Sequence, residues 1–187
     1  MILALDISTS ITGYAIIDEE GIVVRSGSVD LRKQKTFVGK VSHARNQIVQ
    51  ECAGFKIEHL AVEKNLQAFR RGLSSAATID ALARMNGALS FACASFLDIP
   101  LKPVDVNEAR RKLGIKLQRE KVCGVPTKEQ VKRALDGMLE ESKQKHVWET
   151  KILRAGPRKG LEVLADGVYD EVDAIVIGLA YLKILES

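Results

Sequence analysis

Three apolar, β-branched segments occupy residues 2–29, ahead of any helical periodicity, and this order constrains the fold more than any other feature of the chain. ILALD (2–6) and YAII (14–17) are joined by STSITG, a small-residue turn containing Gly13, and GIVVRSGSV (21–29) continues the pattern. Strand segments separated by so few residues pair antiparallel, so they predict a three-stranded meander. Beyond it the periodicity alternates. Val38, Val41, Ala44, Ile48, Val49 and Cys52 fall at helical spacing, and IEHLAVE (57–63) is a short strand ending in an acid. Residues 74–96 carry Ile79, Leu82, Leu89 and Phe96 on one stripe among alanines, which predicts a long, close-packed helix with Ser74 or Ser75 at its N-cap. PLKPVDV (100–106) is a further strand, NEARRKLG a short basic helix closed by Gly114, and PTKEQVKRALDGML (126–139) a helix with Val131, Leu135 and Met138 on one face. Residues 142–168, polar and basic with GPRKG at 156–160, predict an irregular or mobile segment. An apolar helix over about 170–185 closes the chain and opens with acids.

Hairpin strands followed by β–α alternation imply an α/β fold, with a mixed sheet covered by helices on its faces. The chain has 187 residues and no repeat, low-complexity tract or linker, so a single domain over 1–187 is expected. With 46% apolar and 28% charged residues it has the balance of a folded globular protein. No apolar run approaches the roughly 18–20 residues that cross a bilayer, so no membrane partner is expected. The first strand begins at Ile2, which predicts no secretion signal or transit peptide ahead of the fold. Cys52, Cys93 and Cys123 are widely spaced, with no CxxC or Cys/His pattern. They read as reduced thiols of an intracellular compartment rather than a disulfide framework or a zinc site. No serine or cysteine nucleophile signature and no phosphate-binding loop is present, and no organic cofactor is expected. His43 and His59 lie on predicted elements with no evident partner, His146 sits in the polar segment, and all three read as structural rather than as ligands or bases.

Net charge is only +4, from 28 bases and 24 acids, but the bases are clustered. Arg110, Arg111, Lys112, Lys116, Arg119 and Lys121 crowd against Glu120 alone. Lys151, Arg154, Arg158 and Lys159 form a second cluster, and Lys64, Arg70 and Arg71 a third. A single cluster is equally well a solvated surface; three of them flanking the same acids favour a polyanion, since each neutralised phosphate releases a counterion.

Those acids are Asp6 at the end of the first strand, Glu63 at the end of the fourth, and Asp170 and Asp173 in the first turn of the last helix. Side chains at strand ends face the crevice of an open sheet, and a spacing of i, i+3 sets both helix acids on one face. Singly, each has an ordinary explanation: an Asp after a strand is commonly a turn residue, and acids in a first helical turn complement the helix dipole. Together they suggest a cluster that would repel itself unless a hard divalent cation joined it. Two such ions suit phosphodiester hydrolysis.

ILALDISTSITGYAII resembles the opening strand–turn–strand of RuvC-type Holliday junction resolvases, with Asp6 at the first catalytic position. LAVEK resembles their second motif, with Glu63 as the second acid; YDEVDAIVIGLA resembles the closing helix, whose paired ligands match Asp170 and Asp173. GVPTKEQVKRAL is similar to the segment before that pair, and Lys128 matches a lysine that the family uses near the scissile phosphate. The resemblance implies an RNase H-like fold, with three antiparallel strands and then two parallel ones. It also implies magnesium, two ions per site with manganese able to substitute, and a homodimer that nicks opposed strands of a four-way junction. The small-residue helix 74–96 is a suitable dimer face, and equally a face for packing on the sheet. The family carries a base-stacking aromatic shortly after the second acid. Leu66 stands at the expected position and Phe69 three residues on, beside Arg70 and Arg71. Phe69, Arg70, Arg71, Arg110, Arg111, Lys112, Lys116, Lys121, Lys132, Arg158 and Lys159 form the expected DNA-contacting set. The longer segment around VNEARRKLG resembles phage, viral or organellar relatives more than the bacterial repair enzyme, and Asp170 stands where many bacterial members have histidine, so that four carboxylates would hold the metals. Three other readings compete: a nuclease of the same fold acting on RNA–DNA hybrids or other branched DNA, a fragment of an actin-like sugar kinase, and a non-catalytic nucleic-acid-binding relative.

Overall fold

The computed structural model describes residues 1–64 and 76–186. Strands β1 (Ile2–Asp6), β2 (Ile11–Ile17) and β3 (Val23–Asp30) form the expected meander. Helix α1 (Phe37–Glu51) then leads to β4 (His59–Glu63), and α2 (Ala76–Leu97) to β5 (Leu101–Val104). The five strands make one mixed sheet in the order β3-β2-β1-β4-β5. β1 lies parallel to β4, with Leu5 opposite Val62, and β4 lies parallel to β5. Helices α3 (Val106–Lys112), α4 (Glu120–Cys123), α5 (Thr127–Glu141) and α6 (Val168–Leu185) complete the larger elements.

The period of two along each strand sorts the core into two layers. Ile2, Ala4, Ala15, Ile17, Ala61 and Val104 face α6 and α5, where Ile175, Ile177, Ala180, Val131 and Leu135 are buried. Leu3, Leu5, Ile16, Leu60 and Val62 face α1 and α2, against Ala44, Ile48, Met85 and Leu89. Helix α6 is apolar nearly all round because it lies flat across the sheet centre, buried on more than one side. It approaches closely enough that a Cβ on Gly13 of β2 would stand 1.9 Å from the carbonyl oxygen of Asp170. Only glycine lets the first turn of α6 settle there.

Residues 142–168 differ from the expectation of an irregular or mobile segment. They hold an antiparallel hairpin, β6 (Thr150–Ile152) with β7 (Glu162–Leu164). Gln144 ties its approach to the start of β3, donating to Gly21 O at 3.1 Å and accepting from Val23 N at 2.8 Å. Trp148 donates to Asp136 of α5 at 2.8 Å. At the hairpin base Asp166 is gripped by Lys151 and by Arg32, the latter at 3.0 Å. Strands of three residues are too short to show a period, and their anchors lie far off in sequence, so local pattern missed them. Among the described residues, no helix is long and apolar enough to cross a membrane.

Candidate active site

Strand alternation decides where Asp6 and Glu63 point. Asp6 follows Ile2 and Ala4 in phase, and Glu63 follows Ala61, so both carboxylates emerge on the α6 face of the sheet. The parallel register that sets Leu5 beside Val62 sets the two acids side by side at the carboxyl ends of neighbouring strands. Asp170 and Asp173 lie about 60° apart around the axis of α6, on the side turned toward them. The expected convergence is present: Asp6 senses the charges of Glu63, Asp173 and Asp170, and shares a side-chain hydrogen bond with Glu63. Two backbone contacts secure the end of β4. Asn86 of α2 donates to Glu63 O at 2.9 Å, and Lys64 N donates to Val104 O at 2.8 Å.

Burial is the first cause of every shift in the cluster. It pushes Asp6 well above the usual carboxylate range, and the negative charge of Glu63 pushes it further. Glu63 is also raised by burial, partly offset by the hydrogen bond from Asp6 and by the charge of Arg110. Asp170 and Asp173 are raised by burial and drawn back by Lys128 and by Arg110 with Lys128, respectively. Arg110 Nη2 stands 3.4 Å from Asp173 Oδ1, and Lys128 Nζ 4.0 Å from Asp170 Oδ1. Among the described residues no three His, Cys, Asp or Glu side chains are gathered tightly enough to cage a metal ion as they stand. Their oxygens are committed elsewhere: Asp6 and Glu63 to each other, Asp173 to Arg110. The donor set nonetheless fits a hard divalent cation. Four carboxylates are held in one half-buried cleft at a cost in desolvation and repulsion that such an ion relieves, and the cluster already admits a cationic group.

The expected DNA-contacting residues divide. Arg111, Lys116 and Lys121 are exposed along α3, α4 and their connection, with Lys112 beside them. Arg158 and Lys159, together with Arg154, are exposed at the tip of the β6–β7 hairpin. Arg110 is turned inward to the acids. Lys132 is taken up by Asp136 at 2.8 Å and covers the Trp148 ring, with 13% of its side chain exposed, so it is not displayed to a ligand. Leu66, Phe69, Arg70, Arg71, Ser74 and Ser75 lie outside the described residues.

Sequence reasoning missed several residues that build the site. Asp105 caps α3, accepting from Asn107 N and Glu108 N, and so fixes the helix that carries Arg110. The Asp before VNEA was the available signal. Glu171 sits between the two helix acids in sequence but about 100° round the axis from Asp170. It is buried against Ser26, whose Oγ donates to it at 2.6 Å, with His146 Nε2 at 3.4 Å. The His146 Nε2 makes no hydrogen bond at that distance, and its ring packs on Trp148, in keeping with a structural role. His59 likewise packs edge-on against Tyr181.

No family model and no curated protein matches the chain. Two solved structures resemble it over nearly its whole length. One is T. thermophilus RuvC in complex with a Holliday junction substrate, with TM-score 0.66 and 16% identity, covering 99% of this chain and 94% of that one. The other is the Thermus thermophilus RuvC structure, with TM-score 0.61 and 17% identity, covering 99% and 95%. At these identities the likeness is one of fold. The chain has the RNase H-like α/β fold, a five-stranded mixed sheet with helices on both faces.

Proposed function

We propose that this chain is a metal-dependent endonuclease that cuts branched DNA, four-way junctions foremost. The observation that carries this reading is the meeting of Asp6, Glu63, Asp170 and Asp173, from three separate elements, in one cleft on the α6 face. The fold neighbour solved with a Holliday junction substrate supports the choice of DNA form. Asp6, Glu63, Asp170 and Asp173 would hold two magnesium ions, or manganese in their place, whose chemistry when bound would be to acidify the attacking water and offset charge on the departing 3′ oxygen. Lys128 is 59% exposed beside Asp170, long enough to swing toward a phosphate and offset its charge. Arg111, Lys112, Lys116 and Lys121 on one flank, and Arg158 and Lys159 on the other, would bind the phosphates of the arms. In this reading residues 1–187 are a single nuclease domain, working as an intracellular homodimer in which each subunit nicks one of two opposed strands.

The decisive experiment is cleavage of a mobile four-way junction beside duplex, flap and RNA–DNA hybrid, with Mg²⁺ and with chelator. Metal-dependent, paired nicks in the junction, lost in Asp6→Asn, are expected. Preferred cutting of the hybrid would reassign the substrate, and binding without cutting under every metal condition would leave a non-catalytic relative.

A further inference from the structure

The carboxylate cleft already contains a cation, and how that cation is held is unusual. Arg110 rides on α3, which is capped by Asp105 and seated through buried Ala109. Only 19% of its side chain is exposed. The guanidinium meets Asp173 through Nη2 alone, at 3.4 Å, which is long for a charged pair. Its Nε is buried with no hydrogen-bond partner. A structural buried arginine ordinarily engages a carboxylate through two parallel bonds and leaves no donor unpaired, because an orphaned donor forfeits its hydration. Arg110 does neither, yet its charge draws down both Asp173 and Glu63.

We propose that Arg110 is a positioning residue that acts as the internal counter-charge of the cleft. It neutralises Asp173 and Glu63 while no divalent ion is bound, and it must give up Asp173 when one arrives. Arg110 thereby sets the metal affinity of the site. This rests on the nuclease reading and adds a competition to it. A guanidinium and a divalent ion cannot both sit in contact with the same carboxylate oxygens without strong repulsion at low local dielectric. Lys128 differs in kind: it is mostly in water and can move aside at little cost, whereas α3 packing confines the stem of Arg110. Once released, its planar fork is a donor set suited to a phosphate oxygen.

The test uses the full chain without DNA, and compares wild type with Arg110→Gln and Arg110→Lys. Isothermal titration with Mg²⁺ and with Mn²⁺ gives affinity, and thermal unfolding with and without metal gives stability. If the Arg110-bound form is populated about 90% of the time, removing it tightens metal binding about tenfold. Arg110→Gln should therefore bind Mn²⁺ more tightly, unfold at a lower temperature in chelator, and gain more from metal than wild type does. Arg110→Lys should fall between the two. A folded Arg110→Gln with unchanged or weaker metal affinity overturns the proposal. So does failure of both variants to fold at saturating metal, since Arg110 would then be purely structural. Folding of Arg110→Gln only when metal is present supports it. Wild type that binds no divalent ion at about 10 mM, well above the usual range for such sites, would instead sink the nuclease reading itself.

Discussion

The two carboxylate pairs share one cleft but are held by different means. Asp6 and Glu63 end parallel neighbouring strands, each fixed by a backbone ladder, and they relieve their repulsion by sharing a hydrogen bond. Asp170 and Asp173 stand in the first turn of α6, where the helix dipole favours negative charge, and each has a basic neighbour, Lys128 or Arg110. The strand pair is thus rigid, with the more distant charge of Arg110 offsetting Glu63 alone, while each helix acid has a basic neighbour of its own. Loss of a strand acid should remove something nothing else supplies; loss of a helix acid should be softened by the cations left behind.

The largest predicted effect follows. Asp6→Asn or Glu63→Gln should lower the single-turnover cleavage rate by at least about 10³-fold, at the upper end of what losing one charge-stabilising group costs. Asp173→Asn should approach that, because it faces both strand acids, and Asp170→Asn should cost less. Junction binding should hold or tighten in each variant, because a negative charge facing phosphate has been removed. If Asp170→Asn were as damaging as Asp6→Asn, the distinction between the pairs would collapse.

Gly13, paired with Asp6 across the β1–β2 ladder, offers a way to move the helix pair relative to the strand pair. Gly13→Ala forces a methyl group against the Asp170 carbonyl, which is backbone and cannot rotate away. The first turn of α6 must shift, at about 1–3 kcal/mol of stability. For a chain of this size that is a fall of several degrees in Tm, at about 2–4 °C per kcal/mol. The cleavage rate should fall by about 10²-fold, the scale expected for roughly 1 Å of misplacement. A variant that lost stability but kept the full rate would show that the position of Asp170 matters little.

The difference between the pairs also marks what was legible in the sequence. A period of two and a terminal acid are local patterns, so Asp6 and Glu63 could be read along the chain, while their common face and the strand order follow from the pairing of β1 with β4. The i, i+3 spacing of Asp170 and Asp173 was as plain. Arg110 was not: among Arg111 and Lys112 it looks like one more surface base, and only the seating of α3 on α6 turns it inward. Lys132 is a related case: Asp136 stands four residues on along α5, but Trp148, whose ring it covers, is brought there only by the fold of the 142–152 segment. Pattern reads periodicity and end residues; it does not read which member of a charged run faces the core.

The apo protein should show the same contrast in its response to pH. All four acids have folded pKa values raised by burial. A group with a raised folded pKa binds its proton more tightly when folded. Its contribution to stability is therefore present below the unfolded value, about 4 for Asp and Glu, and is lost as pH rises toward the folded value. In chelator, Tm should decline from mildly acidic pH toward neutrality, and saturating metal should flatten the curve. Asp6→Asn should remove more of that slope than Asp170→Asn, because burial and three neighbouring carboxylates all raise Asp6, whereas Lys128 draws Asp170 back. Equal slopes in the two variants would mean that the shared proton is not the main source of strain.

The smallest effects concern the two basic flanks. Arg111 and Lys116 are exposed on and after α3, which follows β5, and Arg158 and Lys159 at the tip of the hairpin whose base is tied to Arg32 after β3. Substituting either pair by alanine should weaken junction binding several-fold and reduce the slope of log affinity against log salt by about 2, one unit for each phosphate left without its cation. The cleavage rate at saturating enzyme should be unchanged, since neither pair touches the acids. The hairpin is attached to the body through Asp166, held by Arg32 and Lys151, and it runs through Gly167 straight into the helix that bears Asp170. A hairpin that only grips DNA leaves the rate alone; one that also tensions α6 would lower the rate along with the affinity. The split between rate and salt slope in Arg158→Ala/Lys159→Ala therefore decides whether the helix pair is positioned by the protein alone or partly by the DNA it holds.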